Sequence, residues 1–127
     1  MLTVVAALIE QDGRMLICQR AEVQRHAGKW EFPGGQMEAG ETPPEALRRE
    51  LEEELAIDAV IGEEVERYTY AYPGKPPILL VFFRVTEFSG QMRNLVFARI
   101  EWADPKDLPA YDFLEGDVAF VSRIAAA

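Results

Sequence analysis

At 127 residues, with 49% hydrophobic and 28% charged side chains, the chain has the make-up of one folded domain over 1–127 and not of a disordered segment. Its net charge of −9 argues against duplex nucleic acid as the main ligand, because that binding draws on basic residues that displace counterions. The single cysteine, Cys18, excludes an internal disulfide and a cysteine-based zinc cluster, and no segment has the apolar length of a membrane span.

Residues 2–10 and 15–20 are apolar, β-branched runs joined across Asp12-Gly13, a pair suited to the positive φ of a hairpin turn. No basic residue precedes the first run and no cleavage-like stretch follows it, so it reads as a buried strand and a cytoplasmic location is expected. Residues 21–29 follow neither the helix nor the strand period and should form a loop. Trp30-Glu31-Phe32 reads as a short strand ended by a turn at Pro33-Gly34-Gly35, with a further short strand at Gln36-Met37-Glu38. Thr42, Pro43 and Glu45 form a capping-box start for a helix running to about Ala56. Strand-like segments follow at 58–61, 65–72 and 78–85. The last is an apolar run broken only by Arg84, as a strand covered on both faces would be. A loop near 89–95 leads to an alternating strand at 97–102, and a final helix is expected over 113–125. The order predicts an α/β (α+β) sandwich, a mixed sheet between two principal helices.

The helix over 42–56 carries the chemistry. With Leu47 at zero, Leu51 and Leu55 fall at roughly 40° and 80°, while Glu50, Glu53 and Glu54 fall at roughly 300°, 240° and 340°. Three carboxylates therefore share one face beside the packing stripe. Like charges at these spacings repel, so a compensating cation is needed. Arg49 could pair with Glu53, leaving an ordinary acidic face; alternatively the oxygens could bind a hard cation such as Mg²⁺ or Mn²⁺. Gly34-Gly35, fifteen residues ahead of Glu50, lets backbone approach a metal or phosphate with no Cβ in the way.

Gly35, five residues, Glu41, seven residues, then Arg49-Glu50-Leu51-Glu52-Glu53-Glu54-Leu55-Ala56-Ile57 resembles the Nudix box, here spanning 35–57. Ala56 stands where the family has a helix-ending glycine, which requires a backbone outside the left-handed region or a cost of about 1 kcal/mol. Trp30-Glu31-Phe32-Pro33-Gly34-Gly35 is similar to the segment leading into the box in MutT-like members. The resemblance implies a Mg²⁺-dependent hydrolase, with Mn²⁺ as possible substitute, that converts a nucleoside triphosphate to monophosphate and pyrophosphate, in a role of nucleotide pool sanitation. The substrate would be a small nucleotide, modified, oxidised or dCTP-like, and the protein a monomer or homodimer.

By the same resemblance Glu50, Glu53 and Glu54 would hold the metal with the Gly34 carbonyl, Arg49 would orient the carboxylates, and Glu41 would brace the box loop. Glu50, with Glu53 second, would act as general base. Arg20, Arg25, Phe32, Gly34, Gly35 and Asp112 would contact substrate, Phe32 by stacking and Asp112 by reading the base. Where MutT-like members place a further loop Glu and, two residues on, Gln, this chain has Val96 and Ala98; Glu87 or Glu101 would serve only with a shifted loop. His26 is assigned to the loop, without a catalytic role. Two alternatives keep the fold: hydrolysis of a nucleoside diphosphate linked to a sugar or adenosine, and a weakly active nucleotide-binding module.

Overall fold

A computed structural model describes residues Met1–Ala127. Its elements in chain order are β1 (Leu2–Gln11), β2 (Arg14–Gln19), β3 (Trp30–Glu31), β4 (Gly34–Gln36), α1 (Pro43–Leu55), β5 (Asp58–Val60), β6 (Glu64–Tyr70), β7 (Ile78–Val85), β8 (Glu87–Ser89), β9 (Arg99–Ala103) and α2 (Val118–Ala126). Two 3-10 turns, Pro105–Ala110 and Glu115–Asp117, lie between β9 and α2.

The hairpin turns at Asp12 (φ 53°) and Gly13 (φ 76°), as the Asp-Gly pair predicts. β1 then runs through the middle of a seven-stranded mixed sheet, parallel to β7 from Leu2 to Ile9. Its other edge is shared. Near its end β1 pairs with β2, at Glu10–Met15 and Gln11–Arg14. Earlier along the strand it pairs with β4, at Val4–Gln36, Val5–Gly35 and Ala6–Gly34. β3 stays on β2, with Cys18 opposite Glu31. The chain from Trp30 to Gln36 thus crosses from β2 to β1 where those strands part, and Ala7 N–H donates to the Pro33 carbonyl at the crossing. Glu31 and the two glycines are delivered to the same place.

Side-chain alternation sorts the core into two layers. Val5, Ala7 and Ile9 of β1, with Val81, Phe83 and Val85 of β7, pack under Ala46, Leu47, Leu51 and Leu55 of α1. Ala6, Leu8, Leu80 and Phe82 point the other way, against Leu108, Phe113, Phe120 and Val121. One helix therefore covers each face, as expected, and β7 is apolar from Ile78 to Phe83 because both of its faces are buried there, while Arg84 near its end pairs with Glu10 and Glu63. Thr42 caps α1: its hydroxyl accepts from Glu45 N, and the Glu45 carboxylate accepts from Thr42 N.

Several boundaries differ from the sequence reading. Gly34-Gly35 is strand and not a turn, and the pairing expected at 36–38 begins at Gly34. The close approach of the backbones is the reason. A Cβ at Gly34 would lie 1.9 Å from the Val5 carbonyl oxygen. Glu87–Ser89 forms a short strand with β5 outside the main sheet, which no alternation in so short a segment announces. The final helix starts at Val118, since Phe113 is drawn into a bridge with Trp30. No helix is long and apolar enough to cross a membrane.

Candidate active site

Capping aims α1 so that its acidic face meets β4. A Cβ at Gly35 would stand 2.5 Å from the Glu50 carboxyl carbon, so only glycine lets that carboxylate lie on the strand. One turn on, the Glu54 Oε1 accepts a hydrogen bond from Gly34 N at 3.1 Å. Both carboxylates are partly buried at the place where β1 and β2 part.

Arg49 organises the other side. Its Nε and Nη2 donate to Glu41 at 2.7 and 3.1 Å, a two-point pairing that fixes the guanidinium plane. Nη1 reaches Glu50 at 2.8 Å and Glu53 at 3.3 Å, while Nη2 also meets the Gln36 carbonyl at 3.1 Å. The hydrogen bond from Arg49 holds Glu41 below the usual carboxylate range. Arg49 thus ties the box loop, β4 and two acidic positions of α1 together.

The electrostatics divide the glutamates. Burial pushes the Glu54 carboxyl up to about 9, and the charges of Glu50 and Glu31 add to the rise. Burial also raises Glu50, with Arg49 pulling against it. Glu53 is different: its side chain is 59% exposed and turned to Arg49. As they stand, the three carboxylates do not converge on one point. The oxygen donors nonetheless fit a hard divalent cation. Glu54 has no cationic side chain bonded to it, since Arg49 is spent on Glu50 and Arg20 on Glu31, and a cation there would offset the penalty that raises Glu54.

Glu31 is a residue the sequence reading did not single out. It sits on β3 with its side chain 16% exposed, paired to Arg20 Nη1 at 2.8 Å. Burial raises it against the pull of Arg20. Its only sequence signal is a lone carboxylate between Trp30 and Phe32, both buried.

Four expected substrate contacts stand differently in the structure. Arg20 is committed to Glu31 and to the Arg25 carbonyl, so it buttresses loop 21–29. Arg25 is on the exposed rim of that loop. Phe32 is 2% exposed and packs on Phe82, Phe113 and Phe120, which removes it from any stacking surface. Asp112 is 74% exposed and held by Lys29 at 2.8 Å. A salt-bridged carboxylate on the surface is a poor reader of a base.

Five residues later Asp117 is the one buried charged side chain of the chain. Although it stands at the start of α2, it makes no capping hydrogen bond with that helix. Burial, with a contribution from the charge of Glu31, pushes its carboxyl up to about 8, so it is neutral near pH 7.

Loop 90–98 docks on the end of α1, where Arg93 N donates to the Leu55 carbonyl and Leu95 N to that of Glu54. It presents Val96 to solvent and no carboxylate to the site. Glu101 is engaged by Arg99 and the Tyr111 hydroxyl, and Glu87 belongs to the β5–β8 ribbon. Neither replaces the missing loop carboxylate.

Residues 1–124 match the NUDIX domain family. The chain is 36% identical over 126 residues to a CTP pyrophosphohydrolase of Escherichia coli, covering 99% of this chain and 93% of that protein. It is 37% identical over 122 residues to an 8-oxo-dGTP diphosphatase of Haemophilus influenzae, covering 95% and 89%. Among solved structures, the E. coli ORF135 protein superposes with a TM-score of 0.87 at 36% identity, over 99% of this chain and 89% of that one. A MutT structure from work on Aliivibrio salmonicida and Vibrio cholerae gives 0.81 at 29% identity, over 98% and 97%. The chain belongs to the Nudix family and is a hydrolase of phosphoanhydride bonds.

Proposed function

We propose that this Nudix hydrolase, acting as one domain over 1–127, converts a modified, oxidised or dCTP-like nucleoside triphosphate to its monophosphate and pyrophosphate, with Mg²⁺ as the metal and Mn²⁺ as a substitute. The carrying observation is the meeting of Glu50 and Glu54 with the Gly34-Gly35 strand. Glu50, Glu54 and the Gly34 carbonyl would hold the ion, with Glu53 swinging in from Arg49. A bound divalent cation supplies charge neutralisation for the phosphates and a more acidic water.

The chain's own residues do the rest. Arg49, locked on Glu41, holds Glu50 in place and pairs with Glu53. Glu50 takes the proton of the attacking water, with Glu53 as the second candidate. The glycine strand leaves room for the Glu50 carboxylate against the backbone. Pyrophosphate departs in line with the attack.

Base recognition falls to Asp117 in place of Asp112. A neutral carboxyl offers one acceptor and one donor, which matches a base edge with a donor beside an acceptor, such as N4–H and N3 of cytosine or N7–H and O6 of 8-oxoguanine. The names of the relatives, a CTP pyrophosphohydrolase and an 8-oxo-dGTP diphosphatase, support this class of substrate. The test is a Mg²⁺-dependent pyrophosphate-release assay over normal, oxidised and methylated nucleotides, with products resolved by chromatography. Monophosphate from CTP or 8-oxo-dGTP is expected. Cleavage confined to nucleoside diphosphate conjugates would overturn the reading.

A further inference from the structure

Asp117 has no capping bond of its own, so its direction depends on the backbone ahead of it. That backbone is held at Gly116, and from both sides. The Tyr68 hydroxyl donates to the Gly116 carbonyl at 2.5 Å, in the peptide unit that joins Gly116 to Asp117. The Tyr72 hydroxyl accepts from Gly116 N at 3.1 Å, in the unit before it. Both tyrosines are distant in sequence, 48 and 44 residues away, and Tyr68 packs on the same sheet face as α2.

Each ring is itself fixed. Tyr68 stacks on Phe82 at 5.9 Å, and the Arg123 guanidinium lies over the Tyr68 ring at 5.7 Å. Tyr72 meets Tyr70 edge-on at 4.9 Å and His26 of loop 21–29 at 5.3 Å. A Cβ at position 116 would lie 3.0 Å from the Tyr72 hydroxyl and 3.3 Å from the Tyr70 ring. The glycine therefore leaves room for the Tyr72 hydroxyl to close on the backbone.

We propose that Tyr68 and Tyr72 are positioning residues for base selection, a clamp on Gly116 that sets the direction of the Asp117 carboxyl. This rests on Asp117 as the base-reading group. The clamp does not touch the phosphates, so it acts on which nucleotide binds and leaves the cleavage step alone. His26 and Tyr70 hold the Tyr72 ring from outside, which couples loop 21–29 to the same carboxyl.

The test uses the full chain with Mg²⁺ and measures kcat and KM for CTP, UTP and 8-oxo-dGTP. The variants are Tyr68→Phe, Tyr72→Phe, Asp117→Asn and the Tyr72→Phe/Asp117→Asn pair. Phenylalanine keeps ring packing and removes only the hydroxyl. Loss of either hydroxyl should raise KM for the preferred nucleotide about 5-fold, the scale of one net hydrogen bond, with kcat within a factor of two. The ratio of kcat/KM between preferred and poorest nucleotide should shrink. In the Asp117→Asn background, Tyr72→Phe should add nothing, since the hydroxyl acts through that carboxyl. Gly116→Ala is a second way in and should shift the same ratio. If Asp117→Asn erases discrimination while both phenylalanine variants retain it, the clamp is wrong and Asp117 stands as reader. If Asp117→Asn leaves discrimination unchanged, both ideas fall together.

Discussion

The two faces of the sheet are built by different rules. On the α1 face the working groups are near one another in sequence: Arg49 meets Glu41, Glu50 and Glu53 within eight residues. On the α2 face Asp117 lies among groups drawn from β3, β6, the residues just past it, and the turn before α2. The first face is highly charged and partly open; the second is largely aromatic, with a single mostly buried carboxyl. Chemistry common to many substrates can be encoded in one helix and one strand. Discrimination between bases needs surfaces from several segments, each free to vary alone.

That contrast can be tested. The largest effect is expected from Glu53→Gln, which should lower kcat at least ~100-fold without disturbing the ratio of kcat/KM among nucleotides. A purified variant within threefold of the parent, or one with altered base preference, would erase the division of labour. Next comes Gly35→Ala, whose added Cβ would stand 2.5 Å from the Glu50 carboxyl. Displacing that group should cost about tenfold or more in kcat and about 1–3 kcal/mol of stability by overpacking, read from denaturant melts. Unchanged kcat would show that Glu50 need not lie on β4.

Asp117 provides the corresponding probe of the other face. Its carboxyl ionises at about 8 when folded, against an ordinary value of 3.8. Between those two values the folded state keeps a proton that the unfolded chain has released, so its contribution to stability falls as pH rises from about 4 to about 8. Asp117→Asn should remove this component, leaving a smaller fall in Tm over that range than the parent shows. Identical Tm profiles would place Asp117 in water. The smallest effect is expected at Ala56, which takes the left-handed conformation at φ 60°, ψ 30° and so accepts the cost anticipated for it. Ala56→Gly should stabilise the protein by about 1 kcal/mol, seen as a raised Tm, with kcat unchanged.

Much of the α1 face was legible beforehand because it depends on local geometry. Thr42, Pro43 and Glu45 start a helix wherever they occur in that order, and 3.6 residues per turn puts Glu50, Glu53 and Glu54 on one side. Even so, spacing could not say that Glu54 would be buried and Glu53 exposed, because that depends on how close β4 lies to the helix. Gly34-Gly35 read as a turn because glycine pairs often are, and only the contact with Val5 and Glu50 makes them strand. Phe32 was a candidate for stacking until the α2-side core took it in.

Helix caps, strand alternation and the box spacing followed from the amino-acid order alone, since each is an interaction between residues a few positions apart. Which carboxylate of the segment from Asp112 to Asp117 is buried, and whether Arg20 faces a ligand or Glu31, was decided only when distant strands closed around them. Burial is a property of what lies across the fold, and no local pattern carries it.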